Sequence, residues 1–415
     1  MEKALLVTAL LKKEKSSWTP QERADELRQL AQSCNLDVVD EKIIKRDFID
    51  PALYVGKGNA EELLFISEKK HADVILFNND LTGSQQRNLE RILNVKTLDR
   101  TQLILDIFAK RAKSNEGKIE VELAQLLYLL PRLTGEGIYL SRLGGGIGTR
   151  GPGEQKLEIN RRKIRKRISK LKKDLETAKT QRLIRRKKRK EHILLNISLV
   201  GYTNAGKSTL LNKLTGSKVT VGDRLFSTLD TTIRSYLLPN NQKIVFSDTV
   251  GFLYKLPHHL IESFKATLEE VVDSDMLILL IDSSHPKRDD HKRAVMDILR
   301  ELKSEHKLIV YAYNKIDLLN NVNETERLLR SHDEAVCISA KNGSGVKKLI
   351  DKIMFEMNKM LTHIKVEIPT SKMSAINFIY NHGKIISQEY KESSVFIEAE
   401  IPTHLVGKVK ALAEE

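Results

Sequence analysis

The run Gly201-Tyr202-Thr203-Asn204-Ala205-Gly206-Lys207-Ser208-Thr209 has the spacing GxxxxGKS, and those residue types in that order serve one chemistry. Successive backbone N–H groups and a helix N-terminus cradle phosphate oxygens, a lysine neutralises the terminal phosphates, and a hydroxyl takes a position on Mg²⁺. The apolar run ILLNISLV, residues 193–200, precedes it, and the helical TLLNKLTG follows. Strand, glycine loop and helix in sequence form the context that makes this motif specific. Lys207 is therefore assigned to the β and γ oxygens and Ser208 to the metal.

Three later segments select the nucleotide. After the strand KIVFS come Asp248, Thr249, Val250 and Gly251; Asp248 can hold Mg²⁺ through water, and the Gly251 N–H can meet a γ-phosphate. Past the apolar strand of LIVYAYNKID stand Asn314, Lys315, Ile316 and Asp317. A carboxylate there accepts the N1 and N2 protons of guanine, which adenine does not offer in that arrangement. In AVCISAK, the amides at Ser339, Ala340 and Lys341 can read the guanine O6. The expected substrate is GTP with Mg²⁺, and GDP its product. Between Ser208 and Asp248 lies Phe226-Ser227-Thr228-Leu229-Asp230-Thr231-Thr232, a switch segment from which one threonine completes the metal shell. Spacing leaves Thr228, Thr231 and Thr232 open. Phe252 follows Gly251 where Ras-type enzymes carry the glutamine that orients water, and a phenyl ring has no polar group for that task. Slow intrinsic hydrolysis is expected, accelerated by another residue or a partner.

The elements that must position these residues read as α/β. In the first hundred residues, strands ALLVTALL, LDVVDEKII and ADVILFN alternate with helices over 21–34 and 59–69, and SQQRNLERIL leads into KTLDRTQLILDIFAKRA, whose apolar positions have helical spacing. Gly56-Lys57-Gly58 reads as a tight turn before a helix, with phosphate binding as the alternative. From Ile119 the apolar positions Leu123, Leu126, Leu130 and Leu133 form a heptad seam, which resumes at Leu157, Ile164, Ile168, Leu171, Leu175 and Ala178. Two matching seams predict an antiparallel helical hairpin. Its tip holds LGGGIGTRGPGEQ, which contains a GxGxxG spacing but lacks the strand and helix of a dinucleotide site. With Gly144, Gly145, Gly146, Gly148, Gly151 and Gly153 bare of side chains, and with Arg142 and Arg150 beside them, this loop is instead a candidate probe for folded RNA.

Charge supports that reading. The chain has 415 residues and a net charge of +15, and residues 161–190 alone carry seventeen Lys or Arg against Asp174 and Glu176, which equals the whole excess. Arg161, Arg162, Lys163, Arg165, Lys166 and Arg167 begin this stripe. With seventeen basic residues against two acids it reads as a polyanion footprint more than as a solvated face. No apolar run reaches the roughly twenty residues of a membrane span, and the opening MEKALLVTALLKKEK is too short for a signal peptide, so a cytoplasmic protein without an integral membrane segment is expected. Cys34 and Cys337 have no metal-ligand spacing and are expected to be buried apolar residues.

Together YVGKGNAEEL, ELAQLLYLLPRL, GGGIGTRGPGE, GYTNAGKSTLLN, LFSTLD, DTVGF, NKID and SAKNG resemble the HflX family, of the Obg-HflX branch of P-loop GTPases. The resemblance covers nearly the whole chain. It implies an N-terminal α/β subdomain over 1–112, a hairpin over 113–191 with its tip loop at 143–153, a doubly wound, mostly parallel GTPase domain over 192–362, and a small C-terminal α/β domain over 363–415. It assigns the Mg²⁺ role to Thr228, though many relatives have proline where Thr231 stands. It further implies a monomer that binds the large (50S) ribosomal subunit and its rRNA, splits stalled, stressed or hibernating ribosomes when GTP is bound, and leaves on hydrolysis; no DNA partner is expected. Two alternatives remain at this level: an ATP-using RNA-remodelling enzyme with a second site in the N-terminal domain, and a regulatory GTPase with non-specific nucleic-acid binding.

Overall fold

In the computed structural model the chain divides into two compact units, one of Met1–Ala178 with Gly222–Asp230 and Leu256–Lys265, the other of Lys179–Val221, Thr231–Lys255 and Ala266–Glu415. The structure describes all residues except 13–16, 134–151, 191–194, 217–224, 227, 241, 255–256, 258–259, 261–263, 320–324, 326–327, 329–334 and 415. The glycine-rich loop, with Arg142, Gly144, Gly145, Gly146, Gly148, Arg150 and Gly151, lies outside the described residues.

The first unit is built on a four-stranded parallel sheet. Its elements are β1 (Lys3–Leu11), α1 (Pro20–Ser33), β2 (Asp37–Arg46), α2 (Lys57–Lys70), β3 (Val74–Phe77), α3 (Gly83–Leu93), β4 (Lys96–Asp99) and α4 (Arg100–Arg111), with strand order β2-β1-β3-β4. Helix starts follow local chemistry: Thr19 and Thr82 form capping boxes with Glu22 and Gln85, each satisfying N–H groups that the first helical turn leaves orphaned. The helical spacing of Leu103, Ile104, Ile107 and Phe108 falls within α4, while Lys96–Asp99 just before it pairs with Val74–Phe77 and Asp99 caps the helix. Two further helices carry the expected seam: α5 (Asn115–Leu129) and α6 (Pro152–Lys190), the latter belonging to this unit up to Ala178. Leu123, Ile168 and Leu171 are buried together, with Ile119, Leu126, Leu130, Ile164 and Leu175 packed around them, and Arg167 grips Glu122 through two bonds of 2.6 and 2.7 Å.

In the second unit β5 (Leu195–Gly201), α7 (Lys207–Thr215), β6 (Thr232–Leu237), β7 (Lys243–Asp248), α8 (Lys265–Val272), β8 (Met276–Asp282), α9 (Arg288–Glu301), β9 (Leu308–Asn314), β10 (Ala335–Cys337) and α10 (Val346–Lys359) make a six-stranded sheet of order β10-β9-β8-β5-β7-β6. Only β6 runs antiparallel, at one edge. The central strands are apolar on both faces, as a sheet covered by helices on both sides requires. Their C-terminal ends deliver Gly201, Asp248, Asp282 and Asn314 to one edge. An antiparallel sheet of β11 (Leu361–Pro369), β13 (Ser394–Pro402) and β12 (Lys384–Tyr390) follows, packed on α11 (Met373–His382) and α12 (Val406–Glu414) around Ile368, Ala375, Ile379, Ile397 and Val409. Among the described residues no helix is long and apolar enough to cross a membrane, and no group of three His, Cys, Asp or Glu side chains gathers as a metal site.

Candidate nucleotide site

The glycine loop leaves β5 and enters α7 as the strand–loop–helix reading requires. Gly206 is its pivot. With φ at +97° it occupies a conformation that side chains resist, and a Cβ there would stand 2.3 Å from Asn314 Nδ2. That bare carbon lets Asn314 reach in: its Nδ2 donates to Ala205 O at 2.7 Å, while its Oδ1 accepts from Ala340 N at 2.9 Å. Asn314 is thus a brace joining the phosphate loop to the SAK segment, and Lys315 holds Asp282 at 2.7 Å beside it. Asp317 is exposed at the start of the short 3-10 turn Ile316–Leu318, and the Ser339–Lys341 turn is closed by Gly343 N donating to Ser339 O.

Lys207 and Ser208 open α7 and are both buried. The ammonium donates to Gly201 O at 3.1 Å and to Tyr202 O at 3.0 Å, so the lysine is folded against its own loop. Burial pushes its pKa down to about 8, with Asp248 opposing the shift. Ser208 Oγ donates to Asp248 Oδ2 at 2.6 Å. Two hard oxygen groups side by side are the donor type that Mg²⁺ prefers.

The segment after Asp248 rests on the loop. Phe252 N donates to Gly201 O at 3.2 Å and Thr203 N to Phe252 O at 2.8 Å, a bridge of parallel strand type. Gly251 lies so close that a Cβ would be 2.9 Å from Thr203 Cα and 3.3 Å from Lys207 Nζ. The Phe252 ring is 1 % exposed and presents only carbon.

Tyr202 was legible only as a variable position of the motif, yet it organises this corner. Its hydroxyl accepts from Tyr254 N at 2.9 Å, and its ring stacks on His291 with centroids 3.8 Å apart and planes 6° off parallel. His285 lies 4.3 Å from His291. Burial, then the neighbouring His285, drives the His291 pKa down to about 3, so the stack is uncharged at neutral pH. These partners are 52 and 89 residues from Tyr202, and no local pattern announces them.

Of the switch motif, Phe226, Thr228, Leu229 and Asp230 are described and Ser227 is not. These residues belong to the first unit, where Phe226 and Leu229 are buried. Along α6, Arg162, Lys163, Arg165 and Lys166 are exposed and Arg161 is half-buried, whereas Arg167 is engaged with Glu122. For Gly153 only the helical backbone is described.

Family models agree with this geometry. One described as GTP-binding GTPase N-terminal matches residues 21–109, GTP-binding GTPase Middle Region 111–189, 50S ribosome-binding GTPase 196–315, and HflX C-terminal domain 325–406. The GTPase HflX of Caldanaerobacter subterraneus is 43 % identical over 99 % of this chain and 93 % of its own length, and that of Chlamydia pneumoniae is 36 % identical over 98 % and 87 %. A GTP-binding protein of Sulfolobus solfataricus, solved in complex with GDP, is 26 % identical over 86 % of this chain and 99 % of its own, with a TM-score of 0.44. With its phosphate loop, guanine-type motifs and C-terminal domain in this order, the chain belongs to the HflX family of GTPases.

Proposed function

We propose that this GTPase binds the large ribosomal subunit through the hairpin of α5 and α6 and, with GTP bound, splits stalled, stressed or hibernating ribosomes. The observation that carries the reading is a guanine-type phosphate-loop site in the same chain as a helix whose Arg162, Lys163, Arg165 and Lys166 stand exposed. A 50S ribosome-binding GTPase model matching residues 196–315 supports the same partner.

At the nucleotide, Lys207 turns from its loop carbonyls to the β and γ oxygens, the Gly251 N–H meets the γ-phosphate, and Asp317 accepts the guanine N1 and N2 protons. Ser208 and Thr228 would hold Mg²⁺, with Asp248 acting through water; when bound, the ion neutralises charge on the β and γ oxygens. Phe252 excludes water without orienting it, so turnover by the chain alone is slow and the ribosome supplies the acceleration. The factor works in the cytoplasm on ribosomes as a monomer.

Light scattering of whole ribosomes mixed with the protein and GTP, GDP or a non-hydrolysable GTP analogue tests the reading. A fall in particle mass is expected with GTP and the analogue but not with GDP. An unchanged mass with all three would overturn it. Trimming Gly144 to Gly153 is expected to spare GTP binding and weaken splitting.

A further inference from the structure

Asp230, the last residue of the FSTLD switch motif, is held by the N-terminal edge of a helix in its own unit. Its Oδ2 accepts from Lys113 N at 2.7 Å and Ser114 N at 2.8 Å, and its Oδ1 accepts from the Ser114 hydroxyl. Ser114 Oγ in turn accepts from Gly117 N at 2.9 Å and so caps α5. A Cβ on Gly117 would stand 2.3 Å from Asp230 Oδ1, so a side chain at 117 would force the carboxylate to shift from this position. One anion taking three donors at a helix N-terminus is a strong, directional contact.

The same switch segment is anchored twice more. Leu225 N donates to Ser33 Oγ at 3.2 Å, and the Phe226 ring, 2 % exposed, meets Phe108 edge-on at 4.7 Å. Phe108 also takes Phe264, from beyond the DTVG motif, at 4.7 Å. Phe226 has φ at +55°, a left-handed conformation that a bulky residue adopts only where its surroundings force it. The segment is thus held under strain by the unit that carries the hairpin.

We infer that Asp230 is a positioning residue for GTP turnover, the pin through which the nucleotide state is transmitted to α5. The inference rests on Thr228 being the switch threonine. Thr228 lies two residues from Asp230, and a two-residue tether spans no more than about 7 Å, so Thr228 cannot move far while the clasp holds. When GTP draws Thr228 in, the clasp is loaded or released; α5, a 15-residue helix, carries the change toward the hairpin tip. Linkage makes this reciprocal, and a macromolecule that displaces α5 moves the switch by the same free energy. A capping role alone does not account for the contact, because Ser114 caps α5 with its own hydroxyl.

Amide hydrogen exchange on the full chain, loaded with GDP or with a non-hydrolysable GTP analogue, tests the inference directly. The amides of residues 113–117 are expected to exchange at rates at least tenfold apart in the two forms, and Asp230→Asn should abolish that difference. Ser114→Ala, on the helix side of the clasp, should weaken it, and the effects of the two substitutions should be non-additive. Equal exchange in both wild-type nucleotide forms would overturn the inference, as would a difference that survives in Asp230→Asn. Large subunits give a second arm: in Asp230→Asn the subunit-stimulated kcat should fall at least tenfold, with half-saturation by subunits unchanged. If subunits fail to stimulate the wild type, the ribosomal reading falls while the exchange result still decides the role of Asp230.

Discussion

Replacing Tyr202 with phenylalanine isolates the contact that holds the DTVGF segment on the phosphate loop. The ring and its stack on His291 remain, and only the hydroxyl that accepts from Tyr254 N at 2.9 Å is lost. Among the described residues the two segments are tied by this bond, by Phe252 N to Gly201 O and by Thr203 N to Phe252 O. A hydrogen bond of this kind contributes about 1 kcal/mol net, and leaving a half-buried N–H unmatched raises the cost toward about 2 kcal/mol. That loss falls on the closed arrangement. Gly251 lies close against Thr203. A γ-phosphate that meets the Gly251 N–H is expected to draw the segment off the loop and break the Tyr254 bond. The wild type therefore spends on GTP a cost that it does not spend on GDP, and the variant spends less. A difference of about 1 to 2 kcal/mol corresponds to a roughly five- to thirtyfold gain in affinity for a non-hydrolysable GTP analogue, with GDP affinity within twofold of wild type. Competition of each nucleotide against fluorescent GDP gives the ratio. An unchanged ratio, or equal weakening of both nucleotides, would refute the reasoning and leave Tyr202 as a packing residue.

Nucleotide affinity should depend on pH through Lys207, whose pKa of about 8 lies below the ordinary lysine value and rises again when phosphates meet the ammonium. Binding then takes up a proton above about pH 8, and affinity should fall by up to about tenfold per unit of further rise; calorimetry in buffers of different ionisation heat reads that proton. His291 works in the acid range. With a folded pKa near 3 against an ordinary 6.5, it binds fewer protons folded than unfolded between those values, so its contribution is intact above pH 6.5 and is lost as pH falls below it. Thermal unfolding at pH 5 should show about 2 kcal/mol less stability than at pH 7 from this group, a loss absent in His291→Phe. Gly206→Ala should cost about 2 to 4 kcal/mol, from a left-handed φ and a methyl 2.3 Å from Asn314 Nδ2, seen as at least thirtyfold weaker GDP binding.

What the sequence discloses of this site is what neighbours in the chain dictate. GxxxxGKS sits between an apolar strand and a helix, and its recognition needs only that local order, with Lys207 folded onto Gly201 O and Tyr202 O within six positions of itself. The hairpin seam is legible for the same reason, since Leu123 and Leu171 obey a heptad rule that needs no distant partner. Asn314 shows where that logic stops. Its type and place after a strand point to guanine, but its work as a brace on Ala205 O depends on a contact 109 residues away. Asp230 reads as one more member of a switch motif, while its carboxylate is spoken for by amides 116 and 117 residues earlier. Gly117, which makes room for it, looks in the sequence like an ordinary poor residue in the first turn of a helix.

The first unit is discontinuous in the chain, and this fixes an order of manufacture. Residues 1–178 emerge during synthesis before 222–230 and 256–265, which complete the same unit. Until then Phe108 has neither of its ring partners, and Lys113 and Ser114 have no carboxylate to receive their N–H groups. At roughly 5 to 20 residues per second, the 116 residues from Ser114 to Asp230 take about 6 to 23 seconds to add. The hairpin-bearing unit therefore matures only after the phosphate loop has been made, and a fragment cut at residue 190 would lack the pieces that finish its core. A newborn chain cannot present a completed hairpin unit before its nucleotide loop exists.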